Sequence, residues 1–227
     1  MKAIILAAGR GQRMMPLTAS MPKPMLTIMD KPLIEYHIER LKAAGITEIV
    51  INLAWYGNKI TEYFADGQAF GVNIYYSQEP EQGLETAGGI IRALPFLGDD
   101  FIVINGDVFT DYDVSALKML HLNEGEGHIV LVENPGHNPN GDFTLRHLGP
   151  QSQKYTFSGI SRFKASFFQG IPDGVLPLGP LLRERLASAD VSTELYIGMW
   201  NDIGTPERLT QLNEQLTETL KGAPHVG

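Results

Sequence analysis

The chain has 227 residues, of which 43% are hydrophobic, and its formal net charge is -8 at pH 7. This length and apolar content suit one α/β domain with a sizeable core. The acid excess argues against nucleic acid as the main partner, because phosphate backbones repel such a surface. The lack of cysteine excludes disulfides, thiolate nucleophiles and cysteine-bound metals.

The location is expected to be cytoplasmic, without a membrane partner. No apolar run approaches the roughly 18 residues that a transmembrane helix needs. Met1 leads directly into the first predicted strand, which leaves no room for a signal peptide. Because no composition break suggests a linker, we expect a single domain over residues 1–221 and a short flexible tail over 222–227.

The first half of the chain alternates predicted strands and helices. Hydrophobic patterns predict strands at 2–6, 48–53, 72–76 and 101–105, and helices at 33–44, 58–64 and 86–94. The order βαβαβαβ is typical of a mostly parallel sheet that is covered by helices on both faces.

The second half mixes strand directions. Predicted strands lie at 128–133, 143–147, 155–163 and 192–199, and predicted helices at 114–122, at 178–187 and after Pro206. Thr205 is the expected N-cap of the last helix, with Pro206 in its first turn. The fold class is therefore α/β, with a Rossmann-like, mixed but mostly parallel central sheet between helices.

A small-residue loop follows the first strand and suits a phosphate. Glycine lets backbone N–H groups approach an oxyanion closely. Arg13 and Lys23 add the positive charge that a triphosphate needs. The Walker fingerprint fails because no Gly-Lys-Ser/Thr triplet is present, and the dinucleotide fingerprint fails because Met14 stands where its third glycine belongs.

The same segment resembles the opening of the sugar-phosphate nucleotidyltransferases. That family's pattern is Leu-Ala-Ala/Gly-Gly-x-Gly-Thr-Arg, then Pro-Leu-Thr, then Pro-Lys-Pro; all three parts match here, with Gln12 in place of the usual threonine. The resemblance implies a GT-A-like fold and transfer of a nucleotidyl group to a sugar 1-phosphate. It also implies a nucleotide loop made of Leu6, Ala8, Gly9, Gly11, Gln12, Arg13 and Lys23. Arg13 and Lys23 are the expected catalytic cations, on the β- and γ-phosphates and on the α-phosphate or sugar phosphate respectively.

Two carboxylates are candidate Mg²⁺ ligands. Asp107 follows the strand 101–105, and Asp202 lies between a predicted strand and the last helix. Ligands of open α/β sheets bind at the carboxyl ends of the strands, and Mg²⁺ favours a few carboxylates together with substrate phosphates. The residues alone also fit a turn carboxylate and a helix cap, but both segments resemble the metal-binding segments of the family.

The base and sugar subsites come from weaker matches. The segment 78–89 resembles the family's nucleobase-lining segment, with Glu79 and Gly83 at the base. A carboxylate can accept from N3–H of uracil or from N1–H and N2–H of guanine, so Glu79 does not decide the base. The family's Glu-Lys-Pro sugar-phosphate segment is missing, and none of the six histidines is assigned a role. The candidate sugar-binding residues are Asn105, Gly141, Asp142, Ser158 and Gly159.

Five further segments carry a closer resemblance: Glu-Thr-Ala-Gly-Gly at 85–89, Asn-Gly-Asp-Val at 105–108, Asn-Pro-x-Gly-Asp-Phe at 138–143, Thr-Phe-Ser-Gly-Ile at 156–160 and Pro-Leu-x-Pro-Leu-Leu at 177–182. Together with the compact length, they most resemble the branch of the family that transfers uridylyl groups to N-acetylmuramate 1-phosphate in bacterial cell-wall recycling. The substrates implied are UTP and that sugar 1-phosphate, with Mg²⁺ as cofactor. The alternatives are a mannose 1-phosphate guanylyltransferase, a glucose 1-phosphate thymidylyltransferase, or a regulatory nucleotide-binding subunit without turnover. The oligomeric state stays open, with a monomer favoured.

Overall fold

The computed structural model describes residues 1–149 and 151–222, so the predicted tail beyond residue 222 lies outside the described residues. The helices are α1 Leu33–Ala43, α2 Gly57–Phe64, α3 Glu85–Leu97, α4 Ser115–Met119, α5 Leu178–Ala187 and α6 Pro206–Gly222. The strands are β1 Lys2–Leu6, β2 Thr27–Ile28, β3 Lys31–Pro32, β4 Glu48–Leu53, β5 Asn73–Gln78, β6 Asp100–Asn105, β7 Val108–Thr110, β8 Gly127–Val132, β9 Phe143–Thr144, β10 Lys154–Lys164, β11 Val191–Tyr196 and β12 Trp200–Asp202. None of these helices is long and apolar enough to cross a membrane.

The central sheet has the strand order β11-β8-β10-β6-β1-β4-β5, with β9 paired to β10. Strands β6, β1, β4 and β5 run parallel, and β11 is parallel to β8. The long strand β10 is antiparallel to both of its main neighbours, β6 and β8. The predicted mixed, mostly parallel sheet is therefore confirmed.

Helices cover both faces of this sheet, as the alternating sequence pattern predicts. On one face Ile34 and Ile38 of α1 pack in the same core as Ile5 of β1. On the other face Ile90 of α3 and Leu182 of α5 share a core with Ile4. Neighbouring residues of one strand thus serve opposite cores, because successive strand side chains point to opposite faces.

A third, smaller core lies beneath the segment that follows β1. It joins Met14 to Ile28, Phe109 and Ile203, and α6 contributes Leu212. Thr205 caps α6, since its Oγ1 accepts from the N–H of Arg208 at 3.4 Å. The capping prediction is confirmed, and α6 holds the segment after β1 against β7 and β12.

The predicted strands at 143–147 and 192–199 are wrong in extent. The first is only Phe143–Thr144 and then turns, and the second ends at Tyr196. The chain then forms β12, which pairs antiparallel with β7 rather than continuing along β8. The predicted helix at 114–122 is also shorter, Ser115–Met119. The break at Tyr196 follows from pairing with a remote strand, which the local apolar pattern does not encode.

An ion pair joins β10 to β6 and gives a first testable prediction. Arg162 donates to the two carboxylate oxygens of Asp100 at 2.8 and 2.6 Å. Burial raises the pKa of Asp100, but the hydrogen bonds and charges of Arg162 and Lys164 lower it more, and the net shift is downward. Asp100→Asn should therefore cost about 1.5 to 3 kcal/mol of unfolding free energy at pH 7.

This cost should become smaller in acid. A carboxylate with a lowered folded-state pKa stabilises the fold above its unfolded pKa, and the stabilisation is lost as pH falls through the folded value. Urea unfolding of wild type and Asp100→Asn at pH 7 and at about pH 3 checks this, with exposed Asp99→Asn as the matched control. A difference that stays constant between the two pH values would contradict the prediction.

Candidate active site

The carboxyl ends of three parallel strands meet at one edge of the sheet. Leu6 of β1 lies opposite Asn52 of β4 on one side and opposite Asn105 of β6 on the other. The chain segments that leave these strands surround a cavity of about 600 Å³. A cavity of this size at this edge can hold a nucleotide-sized ligand.

The segment after β1 lines this cavity with its backbone. Gly11 has φ +61°, and a Cβ there would meet the side chains of Thr18 and Lys23 at 3.0 and 3.1 Å. Thr18 donates to the carbonyl of Gly11 at 2.8 Å, and buried Met14 anchors the following turn. The predicted nucleotide-loop residues all line the cavity: Leu6, Ala8, Gly9, Gly11, Gln12, Arg13 and Lys23. We call residues 6–13 the phosphate loop.

Lys23 and Asp107 form an ion pair inside the cavity. The Lys23 side chain is 10% exposed, and its Nζ donates to Oδ2 of Asp107 at 2.5 Å. The Pro22-Lys23-Pro24 segment makes a tight turn that directs this ammonium group inward. The predicted cation and the first predicted metal ligand are therefore direct neighbours.

Asp202 reaches the same edge through β12. It lies opposite Val108 in the β12–β7 ladder, and the next N–H, of Ile203, donates to the carbonyl of Asp107 at 2.8 Å. The Asp202 carboxylate contacts the guanidinium of Arg208, and its Oδ1 is 3.1 Å from Nε2 of His137. Within residues 1–149 and 151–222, no three His, Asp or Glu side chains form a metal cage.

Glu79 lines the cavity but is 4% exposed, and both of its carboxylate oxygens accept hydrogen bonds. Oε1 accepts from Nδ2 of Asn52 at 2.6 Å, and Oε2 accepts from the N–H of Leu84 at 2.8 Å. Burial raises the pKa of Glu79, and these two hydrogen bonds oppose that shift. Gly83 also lines the cavity, with φ +77°.

The predicted sugar residues fall into two groups. Asn105 lines the cavity, and a Cβ at Gly159 (φ +82°) would lie 2.8 Å from it, so these two are in close contact. The others lie in or next to the antiparallel strands β9 and β10, which we call the hairpin. Asp142 accepts from the N–H of Phe157 at 2.9 Å, and buried Ser158 accepts from the N–H of Ile160 at 3.1 Å. Gly141 packs against the backbone of Lys154.

Comparison with known proteins identifies the family of the chain. The sequence model of the family described as "Nucleotidyl transferase" matches residues 2–152, about two thirds of the chain. The chain belongs to the nucleotidyl transferase family. Family membership confirms the resemblance drawn from the segment after β1.

Individual members of the family are similar over most of the chain. The N-acetylmuramate alpha-1-phosphate uridylyltransferase of Neisseria meningitidis serogroup B is 50% identical over 222 residues, covering 93% of this chain and 96% of that protein. A probable mannose-1-phosphate guanylyltransferase of Oryza sativa subsp. japonica is 30% identical, covering 99% of this chain and 67% of that protein. Among solved structures, a putative glucose-1-phosphate thymidylyltransferase from Bacillus anthracis superposes with a TM-score of 0.82 at 24% identity, covering 95% of this chain and 94% of that one. The structural match confirms the fold.

Sequence reasoning missed three residues that contact the predicted site residues Glu79 and Asp202. Asn52 was not singled out, although a lone amide in the apolar run EIVINL is a signal. His137 was assigned no role, yet it contacts Asp202, and Arg208 was not considered. The last two had no local signal, because the loop around residue 137 and helix α6 meet only in the folded chain.

Proposed function

We propose that this nucleotidyltransferase transfers the uridylyl group of UTP to N-acetylmuramate 1-phosphate and releases pyrophosphate. The observation that carries the reaction class is the Lys23–Asp107 pair facing the phosphate loop across one cavity. The choice of base and sugar is supported by 50% identity, over nearly the full length of both proteins, to a relative named N-acetylmuramate alpha-1-phosphate uridylyltransferase.

The reaction needs positioning and charge more than proton transfer. An oxygen of the sugar 1-phosphate attacks the α-phosphorus in line, the new P–O bond forms, and the bond to the β-phosphate oxygen breaks. Because the attacking oxygen is already anionic at neutral pH, no general base is required. In the proposed reaction exposed Arg13 holds the β- and γ-phosphates, and Lys23 neutralises charge at the α-phosphate or sugar phosphate.

Mg²⁺ on Asp107 and Asp202 is part of the same proposal. Two carboxylates at neighbouring backbone positions fit an ion that prefers one or two carboxylates plus substrate phosphates. Each carboxylate is paired with a protein cation, Lys23 or Arg208, and binding of the ion would compete with that pair. Lys23 would then be shared with the phosphates. When bound, the ion adds positive charge at the phosphate oxygens.

The base and sugar subsites complete the proposal. Glu79 accepts from the N3–H of uracil, and Asn105 with the hairpin residues Gly141, Asp142, Ser158 and Gly159 borders the sugar. A cytoplasmic, monomeric enzyme of cell-wall recycling is proposed with it, on the strength of the sequence resemblance. A mannose 1-phosphate guanylyltransferase is the second candidate, since the Glu79 carboxylate also suits guanine and a 30% identical relative has that name.

A substrate panel tests this proposal. Purified protein with Mg²⁺ should release pyrophosphate fastest from UTP with N-acetylmuramate 1-phosphate. We expect kcat/KM for this pair to exceed that for GTP with mannose 1-phosphate, or dTTP with glucose 1-phosphate, on the order of tenfold or more. A faster guanylyl or thymidylyl reaction would replace the proposed substrates. No product from any pair would contradict turnover itself and favour a regulatory role.

A further inference from the structure

Asn52 is a buried amide at the end of an apolar strand. The other residues of β4 after Glu48 are Ile49, Val50, Ile51 and Leu53, all buried, and Asn52 itself is 3% exposed. Its side chain borders the nucleotide cavity. Burying an amide without hydrogen-bond partners costs free energy, so its contacts indicate why it is there.

The Asn52 side chain joins two segments of the site. Its Oδ1 accepts from the N–H of Ala7, in the phosphate loop, at 2.6 Å. Its Nδ2 donates to Oε1 of Glu79 at 2.6 Å, and the other oxygen of Glu79 accepts from the N–H of Leu84 at 2.8 Å. A continuous chain of hydrogen bonds therefore runs from the phosphate loop through Asn52 and Glu79 to the start of α3.

The direction of each hydrogen bond in this chain is fixed. The N–H of Ala7 can only donate, so Oδ1 must face it and Nδ2 must face Glu79. Because Nδ2 and the N–H of Leu84 are both donors, both oxygens of Glu79 have to act as acceptors. Glu79 is thereby held as an acceptor-only carboxylate in one orientation.

Helix α3 makes room for this pair. A Cβ at Gly89 would lie 2.5 Å from Oε1 of Glu79 and 2.8 Å from Nδ2 of Asn52. Neither side chain can move away freely, since both are buried and hydrogen-bonded. The glycine at position 89 thus fits the Asn52–Glu79 contact specifically.

We propose that Asn52 is a positioning residue that holds Glu79 as a hydrogen-bond acceptor toward the nucleobase and couples the base subsite to the phosphate loop. The inference rests on the proposed function, in which Glu79 faces the base. An acceptor at this position favours uracil, thymine and guanine, which present a ring N–H, over cytosine and adenine, which present a ring nitrogen acceptor.

Two substitutions of Asn52 separate its two hydrogen bonds. Asn52→Asp keeps an acceptor for the N–H of Ala7 but replaces the amide donor by a carboxyl group that has to share a proton with Glu79, whereas Asn52→Leu removes both hydrogen bonds. Calorimetric titrations with UTP, CTP and inorganic tripolyphosphate, which has no base, measure each subsite. Asn52→Asp should weaken UTP binding about tenfold or more and narrow the preference for UTP over CTP, with tripolyphosphate binding unchanged. Asn52→Leu should weaken the binding of both UTP and tripolyphosphate.

Two further variants keep the test independent of folding defects. Ser77→Ala is the matched control, because Ser77 lies opposite Asn52 in β5 and is equally buried. It should bind both ligands like wild type. Gly89→Ala keeps both side chains but forces them to shift, and it should weaken the binding of UTP more than that of tripolyphosphate. Thermal unfolding of each variant verifies that it is folded.

The role proposed for Asn52 would be overturned if Asn52→Asp lost equal affinity for UTP and for tripolyphosphate, or if it lost no affinity for UTP. The proposed function would be left standing in that case, since wild type would still bind UTP. Failure of wild type to prefer UTP over CTP would instead contradict the proposed base subsite itself. The two failures are therefore distinguishable.

Discussion

Lys23→Met is expected to lower kcat/KM for nucleotidyl transfer by about a hundredfold or more. Removing one positioned charge that stabilises a transition state costs about 2.7 to 4 kcal/mol of barrier. Lys23 is a strong case because its ammonium group is nearly buried beside the phosphate loop, where charges are screened less than in water. Methionine keeps the apolar stem, which packs close to Gly11. Steady-state pyrophosphate release at saturating UTP measures the effect.

Lys31→Met is the matched control for this substitution. Lys31 pairs with Glu39 at 2.6 Å on the surface, and its loss should leave kcat/KM close to wild type. Circular dichroism spectra and melting temperatures establish that both variants are folded. Near-normal turnover in Lys23→Met would show that the Lys23–Asp107 pair is structural and would remove Lys23 from the proposed chemistry.

Asp107→Asn and Asp202→Asn are each expected to reduce turnover by about a hundredfold or more and to weaken metal binding. In the proposed site each carboxylate supplies one of the two negative charges that the protein offers to Mg²⁺, and an amide offers none. Paramagnetic resonance of Mn²⁺ in the presence of UTP gives a readout apart from activity. Both variants should leave more Mn²⁺ free than wild type does.

Asp113→Asn is the control for these two substitutions. Asp113 lies six residues beyond Asp107 and just before α4, where its Oδ1 accepts from the N–H of Ser115 at 2.9 Å. The amide oxygen of asparagine can accept the same hydrogen bond, so fold and Mn²⁺ binding should both persist. Unchanged Mn²⁺ binding in Asp107→Asn and Asp202→Asn would place the metal elsewhere, whatever happens to the rate.

Much of the fold could be predicted because its signals are local. The apolar runs at β1, β4 and β6 and the alternation with α1, α2 and α3 are visible over short windows, and they led to the right class of sheet. The strand that was predicted to run to residue 199 shows the limit. The strand β11 ends at Tyr196, and the chain next pairs with β7 through Trp200–Asp202; pairing with a remote strand leaves no periodic trace in the segment itself.

The predicted site shows the same difference between residues with a local sequence signal and residues that meet only in the folded chain. Residues 6–13, with Lys23 close behind them, could be predicted to line one site because the loop, its glycines and its cations lie together in the sequence. Asp107 could be placed because it directly follows a buried strand. His137 and Arg208 could not be found, since they lie 71 residues apart in the sequence. They meet only where the first turns of α6 contact the loop between β8 and β9.

The α/β class and the family of this protein could be inferred from the amino-acid sequence, because strand runs, turn residues and motif spacing are properties of short segments. The tertiary structure alone decided that Lys23 pairs with Asp107 across 84 residues and that Asn52 joins Ala7 to Glu79. These contacts depend on the order and register of strands β1, β4, β5 and β6. Order and register are set by packing of the whole sheet, so no single segment encodes them.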